Sequence, residues 1–402
     1  MKILVIFQHY HPEPFRIKDV CEELVACGHE VQVVCGVPNY PEGRFYPGYS
    51  NKTRRDEVLN GVKVHRVFTL PRRTGAFHRV LNYYSYSIAA SRYVTSGQCM
   101  ASDGKPFDVV LANMVSPIMM AEPAIAYKKK YGTRVVMYCM DLWPECLIAG
   151  GIKRGSLPYR YYHGVSRRIY RGMDKILVSS RLFIDYMKEQ FAIDADKLQY
   201  LPQYAEAQFD DIPPKAPAPD GSLHLMFAGN IGSMQSVDTI LKAAEILKEK
   251  NIFWHIVGGG SELGNMQAFA HEHALKKVSF YGRRPIEEMP KFYAMADAML
   301  VTMKDDPVVS LTLPGKVQTY MAAGKPIIGA INGETTKVIA AADCGICTPA
   351  DDSAALAKSV LQFRQNNSGM AENARRYYQE NFSRDYYMEQ ILNQLSQFAK
   401  VQ

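Results

Sequence analysis

The chain contains no run of about 18 uninterrupted apolar residues, so nothing in its 402 residues predicts a membrane-spanning helix. Its first ten residues, MKILVIFQHY, lack the basic start, long apolar core and small-residue cleavage site of a secretory signal; they read as a strand. These two absences predict a protein that stays in the cytoplasm. Paired cysteine motifs are missing too. Of eight cysteines only Cys344 and Cys347 form a C-x-x-C, and it stands alone, which favours reduced core thiols over a metal or redox centre. No helix-turn-helix, zinc finger or RNA-binding aromatic motif accompanies the net charge of +7, so nucleic acid is not an expected partner. The charge itself is uneven. Residues 1–200 hold 28 Lys and Arg against 18 Asp and Glu, a net +10, while residues 201–402 hold 19 against 22, a net −3. A basic first half suits an anionic lipid surface or a phosphorylated substrate.

With 47% apolar residues over this length, the chain exceeds one ordinary core and predicts two domains. Lys2–Phe7 is a short apolar run, after which Ile17, Val20, Cys21, Leu24 and Val25 recur at helical spacing up to Gly28. Strand-like runs at 30–35, 62–68, 107–111, 134–139 and 175–179 then alternate with helical segments near 78–96, 117–130, 156–171 and 181–190. Such alternation means βαβ units and a mostly parallel sheet. It breaks at DDIPPKAPAPDG, residues 210–221, which reads as an exposed linker. It restarts with strands 223–228, 252–257, 277–281, 298–302 and 326–330, spaced by helices 236–250, 262–274, 286–295 and 314–323. Two helices fill the last stretch, about 369–399.

The predicted class is α/β, with two Rossmann-like doubly wound domains: residues 1–205, to which a terminal helix at about 384–402 returns, and residues 206–383. Open sheets of this kind bind ligands at the carboxyl ends of their strands, so two of them facing a central cleft would place the chemistry there. Architecture alone does not choose between a transferase, a dehydrogenase and an epimerase.

The densest chemical signal is PVVSLTLPGKVQTYMAAGKPIIGAINGE, residues 307–334. Pro314 suits the first turn of a helix, where the N–H groups of Gly315, Lys316 and Val317 would face an anion and Lys316 would add a full positive charge. That helix stops at Gly324 and hands over to a buried strand at Pro326–Ile328. A second candidate anion loop, Gly229-Asn230-Ile231-Gly232, follows strand 223–228. A third, Gly258-Gly259-Gly260, follows strand 252–257, but the last glycine of a G-x-G-x-x-G dinucleotide fingerprint is displaced to Gly264.

These segments resemble the donor-binding loops of retaining family 4 glycosyltransferases of the GT-B fold, in the WbuB-like subgroup, whose members commonly show Pro-Ser-Lys…Tyr-Met-Ala-x-Gly-Lys-Pro and Gly-Asn-Ile-Gly-x-x-Gln-Gly-Leu-Asp. The resemblance implies that Gly229, Asn230, Gly232, Gln235, Gly258, Gly260, Pro314, Gly315 and Lys316 lie at the donor, with Arg283 of YGRR near its base. This chain departs from the pattern at Met234 and Ser236, where the subgroup often has Arg and Gly. A larger departure is Thr319, which occupies the place of a Glu that usually holds the donor ribose; Leu311 stands where the paired upstream acid would fall. Thr319 therefore lies at the donor without the carboxylate, and Glu334, opening a helix after strand 326–330, is a candidate to supply it.

Three first-half segments share the resemblance. QHYHPEPFRIKDV is similar to a Tyr/Phe-x-Pro-Glu…Arg loop, implying roles for Glu13 and Arg16 in catalysis. VPNYPEGRFYPGY, residues 37–49, implies an acceptor-side loop with Asn39 and Tyr40, and DLWPE, residues 141–145, adds Trp143 on that side. Asp141, at the carboxyl end of strand 134–139, would orient a sugar hydroxyl or assist proton transfer. The implied activity is transfer of a sugar, an N-acetylhexosamine such as N-acetylfucosamine, from a UDP-sugar to a lipid-linked acceptor. Undecaprenyl diphosphate is the expected lipid, and assembly of a bacterial O-antigen, capsule or exopolysaccharide the setting. No cofactor and no metal are expected, since Lys316, a helix N-terminus and Arg283 would offset the diphosphate charge. A nucleotide-sugar 2-epimerase of the same fold and a non-catalytic partner subunit are the alternatives.

Finally, RRTGAFHRVLNYYSYSIAASRY, residues 72–93, places Phe77, Val80, Leu81, Tyr84 and Ile88 on one helical face behind Arg72, Arg73 and Arg79. The stripe suits either an anionic membrane surface or packing on the first domain's sheet. The first of these implies peripheral attachment to the inner face of the cytoplasmic membrane.

Overall fold

Eight strands make the sheet of the first unit in a computed structural model that describes every residue except 74, 150, 217 and 400–402 and the side chain of Ala149. They are β1 (Lys2–Ile6), β2 (Glu30–Gly36), β3 (Asp56–Leu59), β4 (Val62–Val67), β5 (Val109–Met114), β6 (Arg134–Cys139), β7 (Lys175–Val178) and β8 (Leu198–Tyr200). Their order is β3-β4-β2-β1-β5-β6-β7-β8, parallel throughout except for the β3–β4 hairpin. Ile3, Leu4, Val5 and Ile6 are all at 0% exposure, which is why β1 reads as a continuous apolar run and not as an alternation. The helix Ile17–Ala26 buries Ile17, Val20, Cys21 and Leu24 and gives way to Gly28 at φ +82°.

Six strands form the second sheet: β9 (Leu223–Ala228), β10 (Ile252–Val257), β11 (Val278–Gly282), β12 (Ala298–Thr302), β13 (Ile327–Ala330) and β14 (Gly345–Thr348). All pairs are parallel, in the order β11-β10-β9-β12-β13-β14. Both sheets are doubly wound, and each has a point where the chain stops building outward on one side and starts on the other. It lies between β1 and β5 in the first and between β9 and β12 in the second. Loops at the carboxyl ends of β1, β2 and β6 in the first sheet and of β9 to β13 in the second carry the residues singled out in the sequence.

The two units are Met1–Leu201 with the chain from Met388 on, and Pro202–Tyr387. The terminal helix runs over Arg384–Phe398, and its expected end at 400–402 lies outside the described residues. Within the first unit, Gln199 Nε2 donates to Gln390 Oε1 at 3.1 Å and the Arg134 guanidinium stands 5.9 Å from the Phe398 ring. The Pro-rich stretch 210–221, expected as a free linker, is instead strapped to the second unit. Arg375 donates to the Ile212 carbonyl at 2.8 Å, Lys215 pairs with Asp297 at 2.7 Å, and Arg364 donates to the Gly221 carbonyl at 2.8 Å. Its lack of periodicity reflects a strand of irregular chain held by side chains reaching to its backbone.

Candidate active site

In the second unit the loops after β9 and β10 run side by side beyond the strands. Gly229 N–H donates to the Val257 carbonyl at 2.9 Å, Ile231 N–H to the Gly259 carbonyl at 2.9 Å, and Gly258 N–H to the Gly282 carbonyl at 2.9 Å. A Cβ on Gly258 would lie 1.8 Å from the Gly229 oxygen, and one on Gly260 would lie 2.3 Å from the Ile231 oxygen. These two glycines are thus required by the neighbouring loop. Gly229 has a different reason: a Cβ there would meet Lys316 Nζ at 2.8 Å. Asn230 Nδ2 and Gly232 N–H both donate to Gln235 Oε1, at 2.9 and 3.1 Å, so Gln235 braces the loop.

The helix Gly315–Ala322 starts one residue after Pro314, which caps it in an extended conformation. Val317 N–H is taken by the Pro314 carbonyl at 2.9 Å, leaving Gly315 and Lys316 as the forward-facing amides of the three expected. Lys316 folds back over the Phe227 ring, with Nζ 3.8 Å from its centre, and that Nζ is buried without a hydrogen-bond partner. Burial pulls its pKa from 10.5 to about 7, a shift the Phe227 ring face opposes. The full charge expected there is therefore partial near neutrality until an anion arrives. A buried ammonium lacking an acceptor is costly by itself, and a negative ligand would offset that cost.

Lys316, Gly229, Asn230, Gly258, Arg283 and Thr319 come together around one cavity of about 330 Å³. Its floor, which the sequence did not disclose, includes Tyr293 and Phe209, whose rings are 5.0 Å apart. Tyr320 fixes the helix to β9 from beneath, its hydroxyl bonding Ala228 N and O at 3.1 and 3.0 Å. Arg284, beside Arg283, pairs with Glu288 at 3.8 Å. Thr319 Oγ1 donates to the Gly315 carbonyl at 3.2 Å. Glu334 is 1% exposed at the start of the helix Glu334–Ala342 and does not line this cavity, nor does Gln235. Among the described residues no group of three or more His, Cys, Asp or Glu is arranged to hold a metal ion. Burial holds the thiols of Cys344 and Cys347 up at about 12.

The first unit builds its loops from side chains. Glu13, 4% exposed, accepts from Asn39 N–H and Tyr40 N–H through Oε1, both at 2.7 Å, and meets His9 Nδ1 at 3.0 Å through Oε2. Asn39 in turn donates to the Val37 carbonyl at 2.8 Å and accepts from Arg72 N–H at 2.8 Å. Glu13 thus clamps the loop 37–49 onto the loop after β1, and Asn39, at 2% exposure, is an internal brace. The Tyr40 ring lies among His9, Phe15 and Arg72, 5.5, 5.5 and 5.6 Å away. Arg16 stands at the start of the helix Ile17–Ala26.

Asp141 accepts from Ser116 N–H at 2.8 Å, and burial pushes its carboxyl above the usual carboxylate range. Trp143, expected on the acceptor side, is 2% exposed and donates to Ser116 Oγ at 2.8 Å, so it fixes the Asp141 loop from within. Glu145, which drew no separate notice in the sequence, is the anchor of DLWPE. At 0% exposure it accepts from Tyr159 at 2.7 Å, Arg154 at 2.6 Å and Tyr186.

The helix Ala76–Thr95 resolves the question its stripe raised. It packs through Tyr83, Tyr86, Ala90 and Val94, whereas Phe77, Val80, Leu81 and Ile88 are exposed at 70, 38, 37 and 49%. Leu157 and Tyr161 of the helix Leu157–Gly172 are also exposed, at 80 and 60%, and Tyr161 reaches Tyr84, hydroxyl to hydroxyl, at 3.5 Å. Arg73 and Arg79 are exposed, but Arg72 is held over the Tyr40 and Tyr83 rings.

Comparison with known proteins identifies the family. A family model described as "Glycosyl transferase 4-like domain" matches residues 15–203, and one described as "Glycosyl transferases group 1" matches residues 208–382. The chain is 28% identical over 273 residues to the probable glycosyltransferase WbjE of Pseudomonas aeruginosa, covering 65% of this chain and 67% of that one. It is 23% identical over 342 residues to the putative colanic acid biosynthesis glycosyl transferase WcaI of Escherichia coli, covering 81% and 82%. The structure of HepE from Anabaena in complex with UDP-glucose superposes with a TM-score of 0.69 at 14% identity, covering 99% of this chain and 100% of that one. With both halves matched and the fold shared end to end, the chain belongs to the GT-B glycosyltransferases of the family 4 type.

Proposed function

We propose that the second unit binds a UDP-sugar and that the enzyme transfers its sugar, with retention of anomeric configuration, to a lipid-linked acceptor. The observation that carries this reading is the buried, unpartnered Nζ of Lys316, which lines a cavity together with Arg283. As the sugar's C1–O bond to the diphosphate breaks, charge grows on the leaving oxygen, and a cation already desolvated beside it stabilises that charge more than one in water would. HepE, a neighbour in fold, is solved with UDP-glucose, which supports a uridine nucleotide here. WcaI is described as acting in colanic acid biosynthesis, which supports surface polysaccharide as the setting and an undecaprenyl-diphosphate-linked acceptor; an N-acetylhexosamine is the proposed sugar. Purified enzyme given UDP-N-acetylhexosamines and a polyprenyl-diphosphate-linked sugar is expected to release UDP and form an α-linked product by NMR. Release of UDP with inversion at C1, or a 2-epimerised donor with no transfer, would overturn the mechanism.

The outward stripe favours a place at the cytoplasmic face of the membrane. Phe77, Leu81, Leu157 and Tyr161 offer apolar surface beside the exposed Arg73, Arg79 and Arg160, the composition that seats a protein at an anionic bilayer. Each such cation contributes about 1 kcal/mol near an anionic surface. Flotation with phosphatidylglycerol liposomes is expected to be salt-sensitive and to be lost in the triple change of Arg73, Arg79 and Arg160 to Glu, with UDP binding intact. Arg72 is left unchanged because it belongs to the Tyr40 clamp. Flotation that survives the triple change would move the contact elsewhere.

A further inference from the structure

The cavity that Lys316 lines carries charges of both signs. Arg283, Arg284 and Lys316 line it together with a single carboxylate among the described residues, Glu206. A nucleoside diphosphate has one region that cations should meet, the phosphates, and one that an acceptor should meet, the vicinal hydroxyls of its ribose. A carboxylate is well shaped for the latter, since its two oxygens take two adjacent O–H groups at once. The other nearby acceptors are less suited. Thr319 and Asn230 also line the cavity, but each offers one neutral acceptor oxygen where a carboxylate offers two that share a charge.

Glu206 is also held in place. It starts the short turn Ala207–Phe209, whose Phe209 packs against Tyr293 at 5.0 Å and whose Gln208 donates to the Ile286 carbonyl at 2.6 Å. Just before it, Ala205 N–H donates to the Tyr378 hydroxyl at 3.1 Å. The segment is thus fixed from three directions, and burial, with smaller contributions from Tyr320 and Glu206, pushes the Tyr293 phenol well above its ordinary value. A carboxylate carried on a fixed backbone has only its side chain to order on binding.

We propose that Glu206 is the residue that receives the donor's ribose hydroxyls, doing from the entry segment of the second unit what Thr319 does not do from the helix Gly315–Ala322. This rests on the reading of the cavity as a nucleoside-diphosphate site. Binding of UDP and of 2′-deoxy-UDP to the full chain, measured by calorimetry, separates the two. The wild type is expected to prefer UDP by about 10- to 100-fold, the range for a hydrogen bond to a charged group. Glu206→Ala should bring that ratio close to one by weakening UDP more than 2′-deoxy-UDP, which keeps only the 3′-hydroxyl for the carboxylate. Glu206→Gln, which keeps the shape, should give an intermediate ratio, and its unchanged melting temperature would show the fold intact. In the Glu206→Ala background, Thr319→Glu should restore part of the preference by supplying a carboxylate from the facing helix. UDP binding with the same preference in wild type and Glu206→Ala would overturn this assignment alone. No binding of UDP by the wild type would overturn the nucleotide reading and this assignment with it.

Discussion

Placed beside each other, the two sheets carry their loops at equivalent points but hold them by different means. After β9 and β10, backbone bonds to backbone, and Gly258 and Gly260 are where they are because a neighbouring carbonyl occupies the space a Cβ would need. After β1, the loop that follows β2 is held by the side chain of Glu13, and the loop after β6 is held from within by Trp143 and Glu145. Backbone pairing leaves the side chains of the second unit free for a ligand, as Lys316 and Arg283 are. In the first unit many of the polar groups are consumed in holding the scaffold, and the tests of each should therefore differ in kind.

Changing Lys316 to Ala is expected to lower turnover by about 100-fold or more while leaving the melting temperature within a degree or two, because it removes a charge stabiliser and relieves a buried cation. A variant with near-wild-type turnover would mean that the second unit's loops, too, are chiefly structural. Changing Glu13 to Ala should act in the opposite sense. It strands the N–H groups of Asn39 and Tyr40 and frees His9, at a cost of about 2 kcal/mol, a factor of roughly 30 in the folding equilibrium. Calorimetric unfolding should show the loss, and UDP affinity should stay within about twofold of wild type. An equal loss of UDP affinity with no loss of stability would make Glu13 a donor contact and erase the distinction between the units.

The same distinction explains what was legible beforehand. Parallel strands such as β1, β9 and β12 are buried on both faces and announce themselves as apolar runs. β3 escaped notice because it is a four-residue edge hairpin strand, DEVL, with partly exposed, charge-bearing alternation. The glycines and Lys316 were visible because loop–loop approach and anion binding both demand particular residue types at fixed offsets from a strand. Roles that depend on which partner a side chain finds were not. Nothing in DLWPE separates Asp141 at the loop from Trp143 and Glu145, which turn inward. Glu334 and Glu206 look equally available as carboxylates until the fold puts one beside the cavity and the other away from it. The stripe of Phe77, Val80, Leu81 and Ile88 likewise had two possible faces, and only the packing of Tyr83, Tyr86 and Ala90 assigned it to the outside.

The smallest expected effect is the pH dependence of donor affinity, and it tests whether Lys316 is free in the sense that Glu13 is not. Its pKa in the empty site is about 7, because its ammonium has been removed from water with no acceptor to offset the loss. A bound diphosphate supplies that acceptor and raises the pKa, so binding takes up a proton wherever the pH lies between the free and the bound value. The sign follows: affinity is fully present below pH 7 and declines as pH rises through it, because a growing share of the empty enzyme holds a neutral lysine. With only the protonated fraction competent, affinity should fall about fivefold between pH 7 and 8 and approach tenfold per pH unit above that. A UDP-sugar is the ligand to use, since its diphosphate has no terminal phosphate ionising near neutrality. Calorimetry at pH 8 in buffers of unequal ionisation heat should report uptake of close to one proton in the wild type and close to none in Lys316→Arg, whose guanidinium stays charged throughout. Uptake that persists in Lys316→Arg would assign the proton to another group, and affinity independent of pH from 6.5 to 8.5 would mean that the lysine is already paired or already charged before the donor arrives.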